Sequence, residues 1–241
     1  MNVLIITGGS SGIGKAIALK YTSQKYTVIS ISRSKALTVN YQQIIADLNS
    51  TSSTIKAIHT AFANLNLETI SSITLVNNAG GLGETNTLGN LDSEKIQDII
   101  QLNTTTPLVL ANEFFRFTKH LTCKKQLINI SSGAAVNPYQ GWSIYCSSKA
   151  AIEMMTKTIA LEQNELTNGV KCIAIKPGVV DTNMQTTLRK TTATEFKNVQ
   201  RFKDLKENNE LYSPEFVASR IYQIDSKNQL ENGDIIDIRK F

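Results

Sequence analysis

Tyr145 and Lys149 stand one helical turn apart in Tyr145-Cys146-Ser147-Ser148-Lys149, a spacing that turns both side chains to one face. A phenol with its ordinary pKa near 10 is a poor acid or base at neutral pH. An ammonium beside it stabilises the phenolate and lowers that value, which suits the pair to proton transfer. The motif alone is not specific. With 7 Tyr and 19 Lys in 241 residues, chance supplies about half a match. A second pair does occur, in Tyr21-Thr22-Ser23-Gln24-Lys25. Context separates the two. Ser132 lies just after an apolar run and thirteen positions before Tyr145, where a hydroxyl could donate to a carbonyl oxygen. The Tyr21 pair falls late in a helical stretch and is read as accidental.

A second constellation is Thr7-Gly8-Gly9-Ser10-Ser11-Gly12-Ile13-Gly14-Lys15. It reads as a strand, a Gly-rich turn and the start of a helix. Gly8 permits a tight turn, Gly12 lets backbone approach a pyrophosphate at the helix N-terminus, and Gly14 permits close helix–strand packing. The spacing is G-x-x-x-G-x-G, and it is not a Walker A loop. The second apolar run ends at Ser32-Arg33-Ser34, with no acid between Gly14 and Asp47. Enzymes that take NAD usually put a carboxylate there for the ribose hydroxyls. A guanidinium fork at Arg33 suits a 2′-phosphate instead.

These groups need a frame. Short apolar runs predict strands at Asn2–Thr7, Thr27–Ser32, Thr54–Phe62, Ile73–Asn77, Gln126–Ser131, Val170–Lys176 and Asp234–Ile238. Helices are expected over Gly12–Ser23, Tyr41–Asn49, Ser93–Phe117, Ser143–Gln163 and Ser213–Ile224. The alternation predicts an α/β fold, a doubly wound parallel sheet of about seven strands with helices on both faces. Such sheets bind ligands beyond the carboxyl ends of their strands. The length, with 41% hydrophobic residues, 13 Gly and 4 Pro, suits one domain over 1–241 and excludes collagen or a disordered tail. Three scattered cysteines, Cys123, Cys146 and Cys172, suggest reduced thiols in the cytoplasm, with no disulfide framework and no metal site. The net charge of +5 is spread thinly, so no nucleic-acid partner is expected. No apolar run approaches the roughly 20 residues needed to span a bilayer, and the Met1–Thr7 start reads as a buried strand instead of a signal peptide.

Together these pieces resemble the short-chain dehydrogenase/reductase family over essentially the whole chain. The further matches are Asn77-Asn78-Ala79-Gly80, Asn103 in Leu102-Asn103-Thr104, and Pro177-Gly178-Val179-Val180-Asp181-Thr182. The resemblance implies a Rossmann-type domain that uses NADPH, with a catalytic tetrad of Asn103, Ser132, Tyr145 and Lys149. It implies that Gly8, Ser10, Ser11, Gly12, Ile13 and Gly14 meet the pyrophosphate, and that Arg33 and Ser34 meet the adenosine phosphate. Asn78, Ala79 and Gly80 would line the ribose, with Pro177, Gly178, Val180 and Thr182 around the nicotinamide. Asn103 would hold a water in a proton relay to Lys149. Many relatives carry Asp-Leu after the third strand, near the adenine. Here Ala63-Asn64-Leu65 is read at that place, with Asn64 as the adenine contact.

The stretches Ile130–Ala135, Gly141-Trp142-x-x-Tyr145, Asp181–Gln185 and Asn232–Arg239 resemble the bacterial benzil reductase and sepiapterin reductase branch. That implies reduction of one ketone of an α-dicarbonyl. Trp142 and Met184 are then candidate substrate contacts, and Thr182 to Asn209 reads as a mobile helical lid. Asp237 matches the carboxylate that anchors a pterin in sepiapterin reductases. A 3-oxoacyl-carrier-protein reductase and a non-catalytic NADPH sensor are the competing readings. The family also implies a homo-oligomer, a dimer before a tetramer.

Overall fold

Alternate residues of a strand face opposite sides of a sheet, and here both sides are apolar. In the computed structural model, which describes residues 1–241, β1 (Asn2–Thr7) turns Val3 and Ile5 to one helical layer and Leu4 and Ile6 to the other. All four are fully buried. The other strands are β2 (Thr27–Ser32), β3 (Gln42–Ile45), β4 (Ser72–Asn77), β5 (Lys124–Ile130), β6 (Lys171–Lys176) and β7 (Ile235–Asp237). They form one seven-stranded sheet in the order β3-β2-β1-β4-β5-β6-β7, every pair parallel.

One layer holds α2 (Thr51–Ala63), α4 (Thr106–Thr118) and α5 (Ser143–Asn164), which bury Phe62, Phe114 and Ile152. The other holds α1 (Gly12–Ser23) and α8 (Pro214–Lys227), which bury Ile17, Tyr21, Val217 and Ile221. The start of α8 follows from its sequence: Ser213 caps the Phe216 amide and Pro214 takes the first turn. Connections leave β1 and β4 towards opposite ends of the sheet. The strand order reverses there, and the crevice above that point is the predicted binding place. No helix is long and apolar enough to cross a membrane.

Two expected elements are exchanged. Thr54–Phe62 is not a strand but the body of α2, and Tyr41–Asn49 is not a helix but β3 and the loop after it. The buried positions of α2 are Thr54, Ala57, Ile58, Ala61 and Phe62, a helical period that overrides β-branched composition. The Ser50 hydroxyl caps the Ser53 amide to start that helix. β3 is a short edge strand with a half-exposed, Gln-rich surface, so it lacks a two-sided apolar run. The Ser93–Phe117 helix is also interrupted. It consists of α3 (Ser93–Ile100), a π-helical turn at Gln101–Thr105 and α4. The segment after β6 carries α6 (Asn183–Leu188) and α7 (Val199–Glu207).

Candidate active site

A groove of about 1290 Å³ runs along the carboxyl ends of the strands. The Gly-rich turn forms one end of it. Gly8 has a φ of +71°, which favours glycine. A Cβ on Gly14 would lie 2.3 Å from the Gly8 carbonyl oxygen and 2.4 Å from Asn78 Nδ2, so only glycine lets the helix start this close to the turn. The Thr7 hydroxyl accepts from the amides of Asn78 and Ala79, each at 3.0 Å, and fastens β1 to the loop after β4. Ser11, before the first helical residue, makes no side-chain cap, so side chains leave the first amides of α1 unoccupied. Ser10, Ser11, Gly12 and Ile13 line this end. Arg33 and Ser34 lie beside it, with the Ser10 and Ser34 hydroxyls 3.2 Å apart.

Asn64 is not there. It is the exposed C-terminal cap of α2, because the third strand is β3 and not the Thr54–Phe62 stretch. Asp47 and Leu48 follow β3 and line the groove. The Asp-Leu pair is therefore present, seventeen positions earlier than the mistaken strand implied. The Leu48 carbonyl is held by the Thr106 hydroxyl at 2.6 Å, which fixes the loop that carries Asp47.

At the other end, consecutive residues from the last of β5 onward engage successive turns of α5. The Ile130 carbonyl accepts from Lys149 Nζ at 2.8 Å, and the Ser131 hydroxyl donates to Glu153 Oε1 at 2.7 Å. The Ser132 hydroxyl lies by the Tyr145 phenol and opposes the rise of its pKa. Glu153 also pairs with Lys176 Nζ at 3.1 Å. It was not singled out in the sequence, although it continues the spacing of Tyr145 and Lys149 by one more turn. Asn103 sits in the π-helical turn, and its amide clamps Gly81: Oδ1 accepts from the Gly81 amide at 2.9 Å, and Nδ2 donates to the Gly81 carbonyl at 2.8 Å. A Cβ on Gly80 would lie 3.1 Å from Asn103 Oδ1 and 3.7 Å from Lys149 Nζ, so Asn103 and Lys149 flank the same glycine.

Burial sets the titration of this end. It lowers the Lys149 ammonium to about 8 and raises the Tyr145 phenol above its ordinary value. The expectation that the Tyr145 phenol lies below its ordinary value is corrected here. The ammonium lies 5.8 Å from the Tyr145 ring and bonds the Ile130 carbonyl, and burial outweighs the Ser132 hydrogen bond. The phenol holds its proton at neutral pH, the state in which it can act as an acid.

Asn78, Ala79 and Gly80 line the middle of the groove, with Pro177, Gly178, Val180 and Thr182 opposite. Trp142, Met184 and Asp237, the expected substrate contacts, also line the groove. Asp237 is not a free carboxylate. Oδ1 accepts from the Arg239 amide at 3.0 Å and from Nε at 2.8 Å, while Oδ2 pairs with Nη2. The guanidinium holds the Asp237 carboxyl below its usual range. Trp142 is 5% exposed and stacks on Phe196, with ring centroids 4.4 Å apart and planes at 16°. That stack occupies one of the two ring faces expected to meet substrate.

The profile of the short chain dehydrogenase family matches residues 2–193. The chain belongs to that family. It is an oxidoreductase of the kind that interconverts CH–OH and C=O groups. Among its relatives, this short-chain dehydrogenase is 38% identical to a benzil reductase ((S)-benzoin forming) of Bacillus cereus over 99% of both chains. It is 26% identical to a sepiapterin reductase of Xenopus tropicalis, over 97% of this chain and 94% of that one. Among solved structures, the KRED1-Pglu enzyme superposes with a TM-score of 0.85 at 26% identity, covering 98% of this chain and all of the other.

Proposed function

We propose that this short-chain dehydrogenase is an NADPH-dependent carbonyl reductase acting on one ketone of a benzil-like α-dicarbonyl. The observation that carries the reading is the meeting of Ser132, Tyr145 and Lys149 at the end of a groove whose other end is a glycine cradle with Arg33 beside it. The cradle suits a dinucleotide: the missing Cβ at Gly14 and the uncapped α1 amides leave backbone donors facing the groove. The turn from Gly8 to Gly14 would hold a pyrophosphate, Arg33 a 2′-phosphate, and the loops at Asn78–Gly80 and Pro177–Thr182 the nicotinamide half.

When bound, the reduced nicotinamide supplies a hydride to the carbonyl carbon. Ser132 donates to the carbonyl oxygen and orients it. Tyr145 gives its proton to that oxygen as negative charge develops there, and is reprotonated from water. Lys149 in its charged form steadies the phenolate left behind. Lys149 is charged below about 8 and neutral above it. The rate of carbonyl reduction should therefore be level below pH 8 and fall as pH rises past it, losing one proton. A flat profile through pH 9.5 would remove the ammonium from this role.

The substrate end favours an aryl diketone over a pterin. Tyr139, Trp142, Leu188 and Phe202 give it an aromatic and apolar wall. A pterin needs the Asp237 carboxylate for its donor edge, and Arg239 already spans both oxygens. Nucleotide turnover with benzil, sepiapterin and an acetoacetyl thioester separates the readings. Benzil is expected to be the best of the three. Preference for the thioester would point to 3-oxoacyl reduction, and binding of NADPH with no turnover would point to a sensor.

Cofactor choice is tested at Arg33. A charge-assisted hydrogen bond contributes roughly 1.5–3 kcal/mol, so Arg33→Ala should erode the preference for NADPH over NADH by about one to two powers of ten. An unchanged Michaelis constant for NADPH would sink the assignment. We also propose a homodimer in a reducing compartment, the cytoplasm. All three cysteines are free. Leu108 on α4 and Met154 and Leu161 on α5 are 45%, 63% and 69% exposed, an apolar face that a second copy would cover. Light scattering should give about twice the 26.5 kDa chain mass.

A further inference from the structure

We propose that Phe196, acting through Trp142, is a positioning residue for Tyr145, so that the segment after β6 orients the proton donor as well as covering the groove. Phe196 is fully buried and does not line the groove, so it cannot touch the reacting atoms. It reaches them through one ring. Trp142 stacks on Phe196 and stands edge-on to Tyr145, with centroids 5.4 Å apart and planes at 69°. Tyr139 and Phe202 lie against the same indole, at 5.1 and 5.5 Å. No protein group accepts from Trp142 Nε1. The indole is therefore oriented by the rings around it, and the flattest of those contacts is Phe196.

The backbone supports the same seam. Gly141 has a φ of +92°, and a Cβ there would lie 2.2 Å from the Glu195 carbonyl oxygen. The chain before α5 and the chain before α7 thus meet with no room for a side chain, one residue from each partner of the stack. Trp142 then opens the catalytic helix, its carbonyl accepting from the Cys146 amide at 2.8 Å. Displacing Phe196 frees the indole, and the indole borders the Tyr145 ring. Leu188, Val199 and Phe202 are buried in the same cluster, so α6 and α7 are seated on the start of α5. The segment expected as a helical lid thus carries α6 and α7 on a defined seat.

The proposal rests on the carbonyl-reductase reading, and its test separates the two. Trp142 is the only tryptophan, so its emission reports the seat directly. Phe196→Leu and Phe196→Ala are compared with the parent by Trp142 emission, NADPH dissociation constant and kcat for benzil. The expected result is a red-shifted emission, an NADPH constant within twofold of the parent, and a kcat at least tenfold lower, larger for alanine. Gly141→Ala, which forces the same seam apart from the backbone side, should reproduce the pattern should the Phe196 variants fail to fold. A shifted emission with kcat within twofold of the parent overturns the proposal. So does a kcat loss matched by an equal loss of NADPH affinity, which would mark a general loosening. A parent that reduces no carbonyl counts against the functional reading alone; the seat is then judged by emission, and an unshifted spectrum in Phe196→Leu overturns it.

Discussion

Tyr145→Phe is expected to lower turnover at least about a hundredfold while leaving the fold and cofactor binding in place, since general acid catalysis is usually worth that much or more. The substitution removes one hydroxyl from a side chain that is 9% exposed and leaves its ring packed against Trp142. The lost partner of that hydroxyl is Ser132, which still bonds the Ala134 amide at 3.1 Å. Little stability should therefore be lost, and the effect should fall on kcat instead of the Michaelis constant. Burial raises the phenol, so the wild-type proton is present across the neutral range. The missing proton, and not a changed charge, is then the cause of the loss. A variant that keeps more than a tenth of parental kcat would mean the proton comes from elsewhere.

The second large effect is on stability, and it concerns the other Tyr–Lys motif. Tyr21 is fully buried, and its hydroxyl donates to Asp225 Oδ2 at 2.7 Å. The Thr74 hydroxyl donates to the same oxygen at 3.1 Å, and Lys124 Nζ lies 2.7 Å from Oδ1. Asp225, 1% exposed on α8, thus ties together α1, β4 and β5 at the end of the sheet far from Tyr145. Asp225→Ala strands two buried hydroxyls, each costing about 1–3 kcal/mol. Lys124, 32% exposed, can turn to water and adds little. A total of about 3 kcal/mol corresponds to a fall in melting temperature of about 10 °C for a chain of this size. Tyr21→Phe should cost about a third of that, because Asp225 keeps its other donors. Neither change should alter kcat at low temperature. Thermal unfolding with activity measured alongside checks both, and a loss of kcat at an unchanged melting temperature would contradict the division between the two motifs.

How much of this was legible varies with the range of the interaction. The strands of the sheet interior could be read because a strand covered on both faces must be apolar at every position, as in Val3-Leu4-Ile5-Ile6. Tyr145, Lys149 and Ser132 could be read because local spacing and element order alone bring them together. The β3 and α2 exchange came from weighing β-branched composition at Thr54, Ile55 and Ile58 above the helical period those residues share. That error moved the adenine contact to Asn64 and hid Asp47. The Asp237–Arg239 pair depends on a chain bend at the end of β7, which pattern does not encode. The approach of Gly141 to Glu195 joins loops about fifty residues apart, and no periodicity announces it.

The outermost strands of the sheet are β3, four residues long and Gln-rich, and β7, three residues long. Every longer strand is paired on both sides. A foreign strand therefore finds no long, flat, apolar border to extend, which is how sheet proteins avoid sticking to their own kind. Copies of this chain that meet in a crowded cell are steered away from edge-to-edge fibrils and towards contacts made by helices.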